Sequence, residues 1–273
     1  MQNNKPHSMK MNWKVVTPRI CGLRTILSDS PTQDITRQEI NDDFSCVVVA
    51  DGVGSALYAL EGAQISSLET IKQISSVGEA IFEYSDDRLK ELILDHLYDK
   101  LSALAAQRDC PVSEFASTLM FFITDGEQYI AANLGDGLVG SLSESGDAEV
   151  LHEPEKGRFV NQSYFVTSHK SSDHLRLHRG RYEATRVYFL MTDGSVECLY
   201  NYTTKRYARA LEVYCDWVRK YDRRVCFNAM VESMRELFKH RTDDDCALAF
   251  IYGSRKSDSE LWYTDAVSRM AKQ

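Results

Sequence analysis

The sequence has no run approaching the roughly 18 apolar residues that a membrane-spanning helix needs. Its opening, MQNNKPHSMKMNW, also lacks the apolar core of an export signal. A cytoplasmic chain with no membrane partner is therefore expected. There is no CxxC pair among the seven cysteines, Cys21, Cys46, Cys110, Cys198, Cys215, Cys226 and Cys246. Their spacing and odd number fit neither a zinc site nor a disulfide framework, and suit free thiols in a reducing compartment. Proline is scarce, five in 273 residues, and no low-complexity linker or internal repeat divides the chain. Positive charge is in deficit, with 32 Lys and Arg against 40 Asp and Glu, a net charge of -8. A nucleic-acid partner is not expected from that balance. With 43% hydrophobic residues, the chain is long enough to bury one large core without staples.

Periodicity supplies the elements. Residues 1–11 are polar and read as a loose start, 12–253 as one domain, and 254–273 as a tail. That tail carries Leu261, Trp262, Val267 and Met270 at amphipathic helical spacing. Trp13 and Val15 alternate with polar neighbours, which predicts an opening strand. The Asp-, Ser- and Thr-rich stretch Ser28 to Asp43 reads as loop, and Phe44 to Ala50 as a buried strand. Helices are expected over roughly Ala56 to Ile74 and around Leu89, Ile93, Leu97, Leu101 and Ala105. Strands are expected over Ser117 to Thr124 and Gln128 to Asn133, joined by the Asp125-Gly126 turn, and again after Gly137. Glu144 to Thr185 reads as a polar excursion outside the core. There His169, His174 and His178 read as loop residues, and Lys170, Arg176, Arg179 and Arg181 as a solvated basic group. Then come the strand Val187 to Met191, helices over Lys205 to Arg219 and Val225 to His240, and a final strand Cys246 to Tyr252. Strands and helices in blocks fit an α+β sandwich of antiparallel sheets better than an alternating parallel design.

Aspartates stand where the apolar strands stop. Asp51 follows Val47-Val48-Val49-Ala50, Asp193 follows Leu190-Met191-Thr192, Asp136 follows Ala131-Ala132-Asn133-Leu134, and Asp244 precedes Cys246-Ala247-Leu248. Strand ends are rigid supports for a site. Grouped carboxylates repel one another unless a cation lies between them, and oxygen-only donors select Mg2+ or Mn2+ over zinc. Any one Asp-Gly pair is ordinarily only a turn, as Asp125-Gly126 is expected to be, so spacing alone leaves a metal site open.

Asp51-Gly52-Val53-Gly54 resembles the DGxG motif of the metal-dependent type 2C protein phosphatases. Ala116-Ser117-Thr118-Leu119 is similar to that family's GST segment, Asn133-Leu134-Gly135-Asp136-Gly137 to its N-x-GD-S element, and Met191-Thr192-Asp193-Gly194 to its TDG element. Asp244-Asp245-Cys246-Ala247 falls where the family carries D-N/D-x-S/T, and Thr32-Gln33-Asp34 at its early N-Q/E-D element. These six short motifs occur in the family's order, and DGxGS is closest to a divergent bacterial subgroup whose genes often accompany a protein kinase. The resemblance implies an αββα sandwich of two mainly antiparallel sheets flanked by helices. It also implies a serine/threonine phosphatase acting on a phosphoserine or phosphothreonine protein, a kinase or a kinase substrate.

It implies two divalent cations, Mn2+ or Mg2+. Asp51 would bridge them, the Gly52 carbonyl would bind one, and Asp193 and Asp244 would hold the other. Asp136, with Asp193, would offer a weaker third site. Asp34 and Gln33 would act through waters, with Asp34 and Asp51 as the catalytic pair. Metals about 4 Å apart can share a hydroxide that attacks phosphorus in line.

Two departures stand out. Val53 occupies the position where some members carry a proton-donating histidine, and Asp29 occupies that of the phosphate-binding arginine, reversing the charge. Arg158 is the first candidate to replace that arginine and Arg24 the second. Ala247, in place of a serine or threonine, is expected to be a packing difference. The alternatives are a catalytically weak regulatory module binding through the same cleft, and a phosphatase for a small phosphorylated metabolite.

Overall fold

The computed structural model describes residues 11–154 and 164–255. The chain opens with β1 (Met11–Val16), β2 (Arg19–Ile20), the short helix α1 (Leu23–Leu27), β3 (Asp34–Ile40) and β4 (Ser45–Asp51). Two long helices follow, α2 (Ala59–Val77) and α3 (Asp86–Gln107). The middle contains β5 (Leu119–Thr124), β6 (Gln128–Leu134), β7 (Leu138–Ser143), β8 (Ala148–His152), α4 (Ser171–His174), β9 (Arg176–Arg181) and β10 (Arg186–Met191). Next come α5 (Asp193–Leu199), the hairpin of β11 (Tyr200–Asn201) and β12 (Arg206–Tyr207), α6 (Arg209–Lys220), α7 (Arg223–Phe238) and β13 (Cys246–Arg255).

One sheet has the order β3-β4-β5-β6-β9, the other β1-β13-β10-β7-β8 with β2 added beside β13, and every pairing is antiparallel. Both sheets are covered on both faces, so their central strands are apolar throughout. In β4, Cys46 and Val48 meet α2 and α3, while Val47 and Val49 point between the sheets. In β13, Leu248 and Phe250 meet the helical layer of α5, α6 and α7, while Ala247, Ala249 and Ile251 face the other sheet. This makes four layers, αββα. Helix α3 buries Leu89, Ile93, Leu97, Leu101 and Ala105, a strict i,i+4 row, and its first turn is capped by Ser85, which accepts from Arg88 N–H at 3.3 Å.

Several expectations are corrected. Ser28 to Asp43 is not all loop: β3 lies in it, paired along its whole length with β4. Its polar residues are tolerated because it is an edge strand whose hydrogen bonds come from a partner rather than from its own composition. Glu144 to Thr185 is not a detached excursion either, since β8 and β9 close the free edges of the two sheets and Val166 and Leu175 are buried among the α2–α3 core residues. His178 lies in β9 against Tyr129, and His174 stacks on Tyr164, so neither is a solvated loop residue. Arg179 is an ion-pair partner of Asp86 and also donates to the carbonyls of Phe82 and Tyr84. Finally, Asp193 opens helix α5, which the sequence reading did not expect, and the residues before Arg209 form the β11–β12 hairpin. The tail at 256–273 lies outside the described residues.

Candidate active site

Asp51 ends β4 and Asp34 begins β3, and the antiparallel register sets the two opposite each other. Thr118, from the Ala116-Ser117-Thr118 segment, fixes Asp51: its Oγ1 accepts from Asp51 N–H at 3.0 Å, and its own N–H donates to the Asp51 carbonyl at 2.8 Å. Asp136 sits in the β6–β7 turn. That turn requires glycine at 135, where φ is +123° and a Cβ would stand 2.7 Å from Thr118. Asn133 ties the turn, donating from Nδ2 to the Gly137 carbonyl at 2.7 Å. Asp193 follows β10 and Asp244 precedes β13, neighbouring strands whose register pairs Met191 with Leu248. Gly194 is needed because a Cβ there would lie 2.2 Å from the Asp245 carbonyl oxygen.

The ends of four separate strands thus bring Asp51, Asp136, Asp193 and Asp244 to one open cleft of about 660 Å³, with Asp245, Gly52, Val53, Gln33 and Arg24 also in its wall. The carboxyl groups strain against one another. Burial raises the Asp51 carboxyl well above the ordinary range, and the charges of Asp34 and Asp193 add to it. Burial also pushes Asp193 up to about 7, helped by Asp136 and Asp244. Burial likewise raises Asp244, against which the Arg24 charge works. Asp34 is 1% exposed, and burial carries its carboxyl to about 7. Its Oδ2 accepts from the Thr192 hydroxyl at 2.7 Å, while its Oδ1, although buried, has no hydrogen-bond partner.

An orphaned buried carboxylate oxygen and a cluster of mutually repelling acids fit a cation. Among the described residues, however, no three His, Cys, Asp or Glu side chains already compose a metal-holding group. The donors fit a hard ion of the Mg2+ or Mn2+ kind, which takes one or two carboxylates and keeps several waters.

Asp29 does not line the cleft. It is exposed, with φ at +51°, in the turn after α1. Arg24, five residues earlier, supplies the cleft's cation among the described residues. Arg158 lies outside the described residues. Ala247 is buried between the sheets, in keeping with a packing difference.

The sequence reading gave no role to Asp245, which holds the site's second tier. It is 5% exposed, and its carboxylate accepts from Gly22 N–H at 2.7 Å and Gln33 N–H at 2.8 Å. Thr192 is similar: besides donating to Asp34, its Oγ1 accepts from Ala247 N–H at 2.9 Å. The acid doublet Asp244-Asp245 was a visible signal, but nothing local says that Asp245, which also lines the cleft, places both carboxylate oxygens on backbone amides.

The profile of the family described as protein phosphatase 2C matches residues 21–239, a span that stops before Asp244. Serine/threonine-protein phosphatase 3 of Escherichia coli (strain K12) is 27% identical over 190 residues, covering 67% of this chain and 74% of that protein. PppA, described as a key regulatory component of T6SS in Pseudomonas aeruginosa, superposes with a TM-score of 0.60 at 15% identity, over 90% of this chain and 99% of that one. The catalytic domain of the serine/threonine protein phosphatase PstP, solved with two manganese ions, gives a TM-score of 0.54 at 13% identity, over 89% and 99%.

Proposed function

The chain belongs to the protein phosphatase 2C family, and from that premise we propose that it is a metal-dependent serine/threonine phosphatase that cleaves phosphomonoesters on proteins and opposes a kinase. One observation carries the reading. Five carboxylates, Asp51, Asp136, Asp193, Asp244 and Asp245, line a cleft in which, among the described residues, Arg24 is the one cationic side chain. Asp51 with the Gly52 carbonyl, Asp193 and Asp244 are the groups that would hold two Mn2+ or Mg2+ ions, with Asp136 serving a weaker third.

Bound there, divalent cations lower the pKa of an attacking water and offset charge on the phosphoryl oxygens. The chain's own groups do the rest. Arg24 faces the carboxylates and offers a guanidinium fork to the phosphoryl oxygens. Asp34, with Oδ2 occupied by Thr192, keeps Oδ1 to accept a hydrogen from water and orient it. Gln33 lines the same wall and can do so through its amide. Val53 brings no proton to the departing alkoxide, so that proton comes from solvent, and the products are the protein alcohol and inorganic phosphate.

The test is hydrolysis of p-nitrophenyl phosphate with Mn2+, with chelator, and by Asp193→Asn. Turnover that both chelator and the substitution reduce by about a hundredfold or more supports the reading, the size expected when a group stabilising transition-state charge is lost. Folded protein without turnover in any divalent metal would overturn it. Val53 and the charge at Asp29 would then favour the regulatory binding module.

A further inference from the structure

Beside the cleft lies a second hollow of about 450 Å³, and Asp244 lines both. Its apolar wall is Ile20, Leu23 and Ile26 on one side and Phe238 at the end of α7 on the other, with Arg235 and Lys239 at its rim. Helix α1 buries none of its five residues, and Leu23 and Ile26 stand 48% and 62% exposed. The segment is nevertheless held in place: Gly22 N–H donates to Asp245, and Arg24 N–H to the Asp243 carbonyl at 3.2 Å. Folding thus fastens an aliphatic ledge beside the catalytic carboxylates and leaves it facing water, which is unfavourable unless something else covers it.

Charge and continuity indicate what covers it. Arg24 on the cleft side and Arg235 on the far rim make no side-chain hydrogen bond or ion pair among the described residues, and Lys239 pairs only with the neighbouring, exposed Glu236. The groove is therefore apolar at its floor and cationic at its far rim, in a chain whose net charge is -8, and it meets the carboxylate cleft at Asp244.

We propose that this groove docks the substrate segment flanking the phosphoresidue and selects phosphoproteins with an aliphatic side chain beside the phosphoserine or phosphothreonine and an acidic residue further out. The aliphatic side chain lies against Leu23, Ile26 and Phe238, and the acid meets Arg235. The inference rests on the phosphatase reading and specifies its substrate.

Phosphothreonine peptides test it, with Leu and Glu placed within four residues of the phosphate on one side or the other, against counterparts with Ala at both positions or Lys for Glu. Each enzyme is scored by the ratio of kcat/KM for two peptides, so a general loss of activity cancels. The wild-type ratio of Leu/Glu to Ala/Ala should be about tenfold or more on one side, the discrimination an apolar pocket gives. It should fall close to one in Ile26→Asp, and the preference for Glu over Lys should reverse in Arg235→Glu. A wild-type ratio near one, or a ratio that survives in both variants, overturns the proposal. So does a concentration-dependent dimer that Ile26→Asp dissolves, which would give the groove to a second copy. Absence of wild-type turnover on p-nitrophenyl phosphate would count against the phosphatase reading instead. The same peptides, ranked by fluorescence anisotropy, would then decide the groove separately.

Discussion

At the scale of single residues, the site is set by carboxylates that differ only in their neighbours. Asp244 and Asp245 are adjacent in sequence and both line the cleft, yet Asp245 places both of its carboxylate oxygens on the distant backbone amides of Gly22 and Gln33. The exchange of charge at Asp29 is answered a few residues earlier, where Arg24 lines the cleft that Asp29 leaves. A guanidinium bound to phosphoryl oxygens contributes roughly 1.5–3 kcal/mol, so Arg24→Ala should raise KM for p-nitrophenyl phosphate by about tenfold or more, with a smaller change in kcat. Steady-state kinetics with Mn2+ checks this. An unchanged KM would return the role to Arg158, the candidate favoured on sequence.

At the scale of elements, the link to watch is between β13 and the chain leading into β3. Asp245 joins α1 and Gln33 to β13 through its two hydrogen bonds, each of a kind that contributes about 1.5–3 kcal/mol when one partner is charged. Asp245→Ala should destabilise the fold by about 2–5 kcal/mol in urea unfolding. It should also weaken substrate binding, because Arg24 and Asp34 both hang from that link. A variant of wild-type stability would show that α1 is held some other way. The elements also show where sequence patterns stop being informative. Helix α3 and strands β4, β10 and β13 announce themselves because their burial repeats every few residues along the chain. Strands β3, β8 and β9 do not: they are mixed or polar edge strands, extended only because a neighbouring strand supplies the ladder.

At the scale of the whole molecule, the αββα stack stores repulsion at one end. Asp34 and Asp193 have folded-state pKa values of about 7, raised from 3.8 by burial first. A raised carboxyl pKa means the folded chain binds more protons than the unfolded one. These groups therefore cost no stability below about pH 4, and metal-free stability falls as pH climbs from there through 7. A divalent ion takes the place of those protons. The Tm gained on adding saturating Mn2+ should be larger at pH 7.5 than at pH 6, and smaller in Asp193→Asn than in wild type. At a hundredfold excess over Kd the gain corresponds to about 2.7 kcal/mol. His152, held down to about 4 by its burial, destabilises the fold as pH drops below 6.5, but this is common to both metal conditions and cancels in the difference. A metal shift that is equal at both pH values would dissociate these carboxyls from ion binding.

The sequence by itself determined the central strands, the long helices and the aspartates of the site, because each is written in a window of a few residues: alternation, an i,i+4 row, or an acid where an apolar strand stops. It also carried the family, through six short motifs in order. Only the tertiary structure decided which cleft carboxylate also holds distant amides, that Arg24 rather than Asp29 lines the cleft, that polar segments become edge strands, and that an aliphatic ledge lies beside the aspartate-lined end. Those facts depend on contacts such as Asp245 with Gly22 and Gln33, 223 and 212 residues apart. No local pattern encodes such contacts, since they exist only once two sheets have stacked and brought their strand ends together.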